Sequence, residues 1–221
     1  MIAWQRIDTV FLDMDGTLLD LHFDNHFWRE HMPRRYAEFH GLDEAVARAH
    51  LDQHYQRHAG TLNWYCLDFW SSELALDIVQ LKQEVVHLIA VRPDVPAFLN
   101  ALRASGRRVV MVTNAHPKSL DLKMRETRID AWFDVLVSSH QLGLPKEHPD
   151  FWSLLQGIEP FDKTRTLFVD DSLPVLESAR AYGIAHLLAV CNPDSRLPHK
   201  DCGDFIAISG FDQVMPDRSA V

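Results

Sequence analysis

The sequence predicts an α/β fold, a doubly wound parallel sheet interrupted by an inserted helical unit. Three observations predict it. Short runs that are apolar on both faces recur along the chain, as expected of parallel strands covered by helices on either side. Helical patterns separate the later runs. One long interval, roughly residues 20 to 92, carries several helical patterns and no convincing strand, which is too long for a simple crossover.

The expected strands are Thr9 to Leu12, Val109 to Val112, Val135 to Val137, Thr166 to Val169 and His186 to Val190. Asp94 to Ser105 carries Val95, Phe98, Leu99 and Leu102 at helical spacing and meets Gly106, which suits a C-terminal cap. Pro117 opens another helix where its missing N–H costs little. Ser172 to Tyr182 places Val175, Leu176 and Ala179 on one face, with Ser172 as N-cap and Gly183 beyond the end. Within the insert, Ala45 to His58 reads as a polar-faced helix, and Leu62, Tyr65, Cys66, Phe69, Trp70 and Leu74 form a stripe at spacings of three and four. The tail after Phe211 is expected to be loosely ordered.

Composition narrows the function classes. The 221 residues, 47% of them hydrophobic, suffice for one core and an inserted subdomain. With 22 Lys and Arg against 31 Asp and Glu, the net charge of −9 argues against nucleic acid polymers and anionic membranes as partners. Cys66, Cys191 and Cys202 are odd in number and lack a CxxC pair, so neither a disulfide framework nor a zinc site is expected. The 13 histidines are scattered without a metal-binding pair and read mostly as surface or structural. No signal peptide or membrane span is evident, so a cytoplasmic location is the default expectation.

Chemistry concentrates at the strand ends. Asp13-Met14-Asp15-Gly16-Thr17 directly follows Val10-Phe11-Leu12. A carboxylate there can attack phosphorus and become an aspartyl-phosphate, given a cation and a proton donor. Asp13 is the candidate nucleophile and Asp15 the proton carrier. Thr113-Asn114 ends the second run, Pro145-Lys146 follows a third apolar stretch, and Asp170-Asp171-Ser172 ends the run at Val169. Taken singly, each cluster equally suits a turn, a helix cap or a surface charge; their fixed order carries the weight.

As a set, Asp13-x-Asp15-x-Thr17, Thr113, Lys146 and Asp170-Asp171 resemble the four motifs of the haloacid dehalogenase-like (HAD) hydrolase superfamily and frame most of the chain. The resemblance implies a Rossmannoid core, residues 1–19 and 93–221, with an inserted type 1 helical cap over 20–92. It also implies Mg²⁺ as cofactor, held by Asp13, Asp15 and Asp171 with Asp170 assisting. Asp13 then serves as nucleophile and Asp15 as acid and base, while Thr113, Asn114 and Lys146 bind the phosphoryl group. Thr17 is expected to orient Asp15 through the backbone. Glu147-His148-Pro149 departs from the family's commoner Lys-Pro pattern and leaves the local loop geometry open.

An aspartate at position 15 favours phosphate esters over haloacids, because a departing alkoxide needs an acid and dehalogenases use no aspartate there. The stretches Leu12 to Leu21, Thr61 to Asp68 and Thr113 to Pro117 are similar to purine 5'-nucleotidases acting on GMP and IMP. That narrower resemblance implies a purine nucleoside monophosphate as substrate. His22, Phe23, Asp24, Asn25, His26 and Trp28, with Asn63, Trp64 and Tyr65, are candidates for reading the base, although aromatics in helical caps also serve as core. A phosphatase for a sugar phosphate or phosphoglycolate, a phosphotransferase, and a non-catalytic phosphate-binding module remain alternatives.

Overall fold

A computed structural model describes residues 2–216. Six parallel strands form one sheet in the order β3-β2-β1-β4-β5-β6: β1 Thr9–Leu12, β2 Arg108–Thr113, β3 Val135–Ser138, β4 Thr166–Asp170, β5 His186–Val190 and β6 Ala207–Ile208. The chain winds outward from β1 through β2 to β3, then crosses back to β4 and winds the other way. β1 therefore lies at the topological switch point, and the crevice at its carboxyl end is where such sheets bind ligands.

Strand residues alternate between two apolar layers. Val10, Leu12, Val109, Met111, Leu167 and Val169 face one core, shared with α7 (Val95–Ala104) and α8 (Pro117–Thr127). Phe11, Val110, Val112, Phe168 and Ala189 face the other, shared with α9 (Phe151–Ile158) and α10 (Leu173–Tyr182). Because both faces are covered, the strands read as continuous apolar runs and not as alternations. Each fully buried Leu, Val or Phe contributes about 1.5–3 kcal/mol, so the sheet makes a rigid floor for the site.

Between β1 and β2 the chain forms α1 (His22–His26), α2 (Met32–His40), α3 (Glu44–His58), α4 (Leu62–Tyr65), α5 (Leu67–Leu74) and α6 (Ile78–Glu84). They gather around their own core of Phe23, Phe27, Leu51, Leu67, Trp70, Leu74, Ile78 and Leu81. The segments leading in and out run side by side: Asp20 N–H donates to Ala90 at 2.9 Å and Arg92 N–H to Leu18 at 3.0 Å. The Arg92 guanidinium anchors this pair to the carbonyls of Asn192 and Ser209. A π-helical turn, Phe27–His31, joins α1 to α2, closed by the Met32 N–H on the Phe27 carbonyl.

Several local expectations change. The stripe from Leu62 to Leu74 is two helices, broken at Cys66, whose extended backbone lets its sulfur cap α5 by accepting from Phe69 N–H. Ser172 sits at the N-cap of α10 but its side chain makes no capping bond. Helix α9 and strand β6 were not anticipated. Phe211 is buried and starts a 3-10 turn, Phe211–Val214, so the chain just after it is ordered. The expectation for the last part of the tail falls on 217–221, outside the described residues. Among the described residues no helix is long and apolar enough to cross a membrane.

Candidate active site

Asp13 stands one residue past β1, its N–H donating to Val169 of β4 at 3.0 Å. The chain then turns tightly, with the Leu18 and Leu19 N–H groups both donating to the Met14 carbonyl. Gly16 makes the turn possible with φ +83°, a region that disfavours a side chain. A Cβ at Gly16 would also stand 2.9 Å from Asp171 Cγ. The buried Thr17 hydroxyl has no hydrogen-bond partner among the described residues, so it does not orient Asp15 as expected.

Lys146 is the hub beneath this turn. Its ammonium, 2% exposed, donates to Asp13 Oδ1 at 2.5 Å, Asp170 Oδ2 at 2.7 Å and the Val112 carbonyl at 3.0 Å. The Glu147-His148-Pro149 departure thus leaves the lysine in reach of the carboxylates. Burial works against its charge, but Asp13 and Asp170 overcome burial and raise its pKa. Burial also pushes Asp13 and Asp170 up to about 6, against the pull of Lys146. Asp171 is raised by burial too, and its Oδ2 accepts from Lys200 Nζ at 3.0 Å.

Asp13, Asp170 and Asp171 each bring a carboxylate oxygen within 4.8 Å of the others. Two buried carboxylates and a half-buried one this close repel one another, a repulsion that Lys146 offsets between Asp13 and Asp170 and that a further cation among the three would relieve. An all-oxygen donor set fits a hard divalent cation, and the missing Cβ of Gly16 leaves Asp171 room to take part.

Thr113, buried at the end of β2, accepts from Ala115 N–H at 3.0 Å and keeps its own O–H free to donate. Asn114 is committed elsewhere. Its Oδ1 accepts from Lys146 N–H at 2.8 Å and its Nδ2 donates to Glu147 Oε2 at 2.9 Å, fixing the Lys146 loop. Tyr65 of α4 donates to Glu147 Oε1 at 2.9 Å and so links the helical insert to that loop.

A second charged network holds Asp15. Lys123 of α8 donates to Asp15 Oδ1 and Asp24 Oδ2, both at 2.6 Å, and Lys82 of α6 donates to Asp24 Oδ1 at 2.7 Å. Both lysines are 1% exposed. Burial raises Asp15 to about 6, partly offset by Lys123. For Asp24, burial is overcome by Lys123 and Lys82, which hold its carboxyl well below the usual range. None of the three network partners of Asp15 was expected in this role.

These groups line a cavity of about 790 Å³ between the sheet and the helical insert, a size that takes a small organic ligand. Of the candidates for reading a base, Asp24, Asn25, Trp28, Trp64 and Tyr65 line it. His22, Phe23, His26 and Asn63 do not, and Phe23 is instead buried in the core of the insert. The wall also carries Arg29, Arg48, Asp52 and Gln56, polar helix residues that sequence periodicity reads as solvated.

Comparison with known proteins accords with this geometry. The model of the haloacid dehalogenase-like hydrolase family matches residues 7–183. The chain belongs to the haloacid dehalogenase-like hydrolases. It is 41% identical over 215 residues to the GMP/IMP nucleotidase YrfG of Escherichia coli strain K12, covering 97% of each chain. It is 41% identical over 101 residues to a phosphoglycolate phosphatase of Nitrosospira multiformis, covering 44% of this chain and 43% of that one. The fold is similar to that of a crystal structure of a HAD phosphatase from Thermococcus onnurineus, with a TM-score of 0.77 and 21% identity over 96% of this chain and all of the other. By its family membership and its similarity to the nucleotidase along nearly the whole chain, this HAD hydrolase is a phosphoric monoester hydrolase.

Proposed function

We propose that the protein is a Mg²⁺-dependent 5'-nucleotidase that dephosphorylates GMP and IMP through an aspartyl-phosphate on Asp13. The observation that supports the chemistry is the convergence of Asp13, Asp170 and Asp171 around Lys146. The similarity to the GMP/IMP nucleotidase along nearly the whole chain supports the substrate. Asp13 and Asp171, with Asp170 and the Asp15 carbonyl, would hold the ion. When bound, Mg²⁺ neutralises charge on the phosphate and lets an anionic carboxylate approach it.

Asp13 attacks phosphorus while Asp15 gives its proton to the departing 5'-oxygen, so one P–O bond forms and another breaks. Asp15 then takes a proton from water, and the hydroxide attacks the phosphoryl group and releases phosphate with Asp13 restored. A carboxyl raised to about 6 holds enough proton near neutrality to serve in both directions. Lys146 and the Thr113 hydroxyl stabilise the charge spread over the phosphoryl oxygens.

The helices over residues 20–92 act in this reading as a cap whose cavity wall selects the base. Trp28 and Trp64 offer faces for stacking, while Asn25, Asp52 and Gln56 can pair with a purine edge. The partner is a small phosphomonoester and not a nucleic acid polymer, since the cavity lies beneath the insert.

A second reading, a phosphatase for phosphoglycolate, is favoured by the match to the Nitrosospira enzyme over less than half the chain. Phosphate release from GMP, IMP, AMP, UMP, glucose 6-phosphate and phosphoglycolate separates the two. The expected result is a kcat/KM for GMP and IMP well above all others; equal rates on the non-nucleotides would overturn the purine assignment.

A further inference from the structure

Beside the carboxylate centre lies a cluster with different ligand chemistry. Cys66 caps α5 in the helical insert, His116 follows Asn114-Ala115 and caps α8, and His140 follows β3. One donor atom from each lies within 4.8 Å of the others. The two imidazoles meet edge to face with centroids 4.9 Å apart. Both ring nitrogens of His140 are shielded from solvent yet have no hydrogen-bond partner among the described residues. Buried polar groups are ordinarily paired, so an unpaired imidazole facing a thiol and a second imidazole calls for a partner.

We propose that Cys66, His116 and His140 form a second metal site, for a soft divalent ion of the Zn²⁺ class, that ties the helical insert to the sheet domain. Sulfur and imidazole nitrogen favour Zn²⁺ and leave Mg²⁺ to the all-oxygen carboxylates. Donors of one tetrahedral zinc lie roughly 3.3–3.6 Å apart, given Zn–N near 2.0 and Zn–S near 2.3 Å, so the three need to close by about 1 Å. The fourth donor is Asp68, which lies outside the 4.8 Å group and reaches the ion by swinging its exposed side chain inward. Its Oδ2 lies 3.7 Å from His116 Nε2, while its Oδ1 stays with Lys118 Nζ at 2.5 Å. Ligation through His116 Nε2 moves the ring proton to Nδ1 and gives up a long 3.3 Å contact from Lys118 N–H.

Cys66 and Asp68 belong to the insert, whereas His116 and His140 belong to the sheet domain. His116 also lines the catalytic cavity. An ion here therefore pins the insert over the cavity and slows exchange of ligand, a consequence that rests on the phosphatase reading, whereas ion binding itself does not.

The test uses the full chain, stripped of metal and titrated with Co²⁺ as a spectroscopic stand-in. One equivalent is expected to give a thiolate-to-cobalt band in the near ultraviolet, chased by Zn²⁺ and not by Mg²⁺. Cys66→Ser should abolish the band while circular dichroism and phosphate release without zinc stay at the wild-type level, because serine also caps a helix. His140→Ala should weaken Co²⁺ at least about tenfold. Cys191→Ser should leave the band intact, which separates this site from the Cys191–His199 pair at 3.7 Å. No band at stoichiometric Co²⁺, or a band that survives in Cys66→Ser, overturns the site. Under excess Mg²⁺, Zn²⁺ should inhibit phosphate release in the wild type at least about tenfold more strongly than in Cys66→Ser. Equal inhibition of both would keep the site and overturn the pinning.

Discussion

Among the described residues Asp24 is the one carboxylate shared by two lysines that are each 1% exposed, so replacing it tests whether this network holds the insert onto the sheet domain. In Asp24→Ala, Lys123 keeps Asp15 at 2.6 Å, but Lys82 loses its only carboxylate partner among the described residues. Removing one partner of a buried ion pair costs about 3–5 kcal/mol, because the other charge is left uncompensated. Asp24 edges the cavity with a 19% exposed side chain, so water reaching the lysines from that side sets the cost near the lower end, about 3 kcal/mol. For a chain of 221 residues, about 1 kcal/mol shifts Tm by about 2–4 °C, which predicts a fall of about 6–12 °C by calorimetry. Asp24→Leu combined with Lys82→Met should recover at least half of it, since a thioether packs well among the Phe23 and Phe27 rings that now face the ammonium at 4.8 and 4.7 Å. The sign with pH is fixed as well. The folded pKa of Asp24 lies below its unfolded value near 3.9, so its stabilisation is present above about pH 4 and fades as pH falls through the folded value. The Tm gap between wild type and Asp24→Ala should therefore narrow in acid. A gap under about 3 °C at pH 7, or one that widens in acid, would refute the reasoning.

Asp13→Asn should keep the fold by circular dichroism and lower kcat on GMP by on the order of 10⁴-fold, since a neutral amide replaces the attacking carboxylate. Gly16→Ala should lose about 1–2 kcal/mol from its φ of +83° and weaken Mg²⁺ binding by calorimetric titration, because the new Cβ presses on Asp171. Removing metal with EDTA should stop phosphate release, and added Mg²⁺ should restore it. The metal-free protein should also lose Tm as pH rises from about 4 to about 6: Asp13, Asp15 and Asp170, raised to about 6, bind more protons folded than unfolded across that window. Mg²⁺ should flatten that slope, as read by Tm against pH with and without the ion.

Much of the fold was legible because each parallel strand is covered on both faces and so appears as an uninterrupted apolar run. The two-residue β6 is too short for any pattern. The paired apolar residues of α9 (Phe151-Trp152, Leu154-Leu155) do not separate a helix from a strand by period. The grouping of the strand-end residues was legible because their motifs follow apolar runs in a fixed order, and the structure brings Asp13, Asp170, Asp171 and Lys146 together there. The lysines that hold Asp15 and Asp24 were passed over, although their signal was present. Lys123 lies between Leu120 and Met124 on the buried face of α8, and Lys82 lies among Ile78, Leu81 and Val85 on the buried face of α6. A charge at a position where periodicity demands an apolar residue must find a buried partner, so a lysine inside an apolar stripe points to a carboxylate elsewhere in the chain. Cys66, His116 and His140 gave no comparable signal. They sit at two helix caps and one strand-end turn, and only the folding of the insert against the sheet makes them neighbours. Residues that act within one loop leave a motif; residues that act across two packed bodies leave, at most, a side chain out of keeping with its own helix.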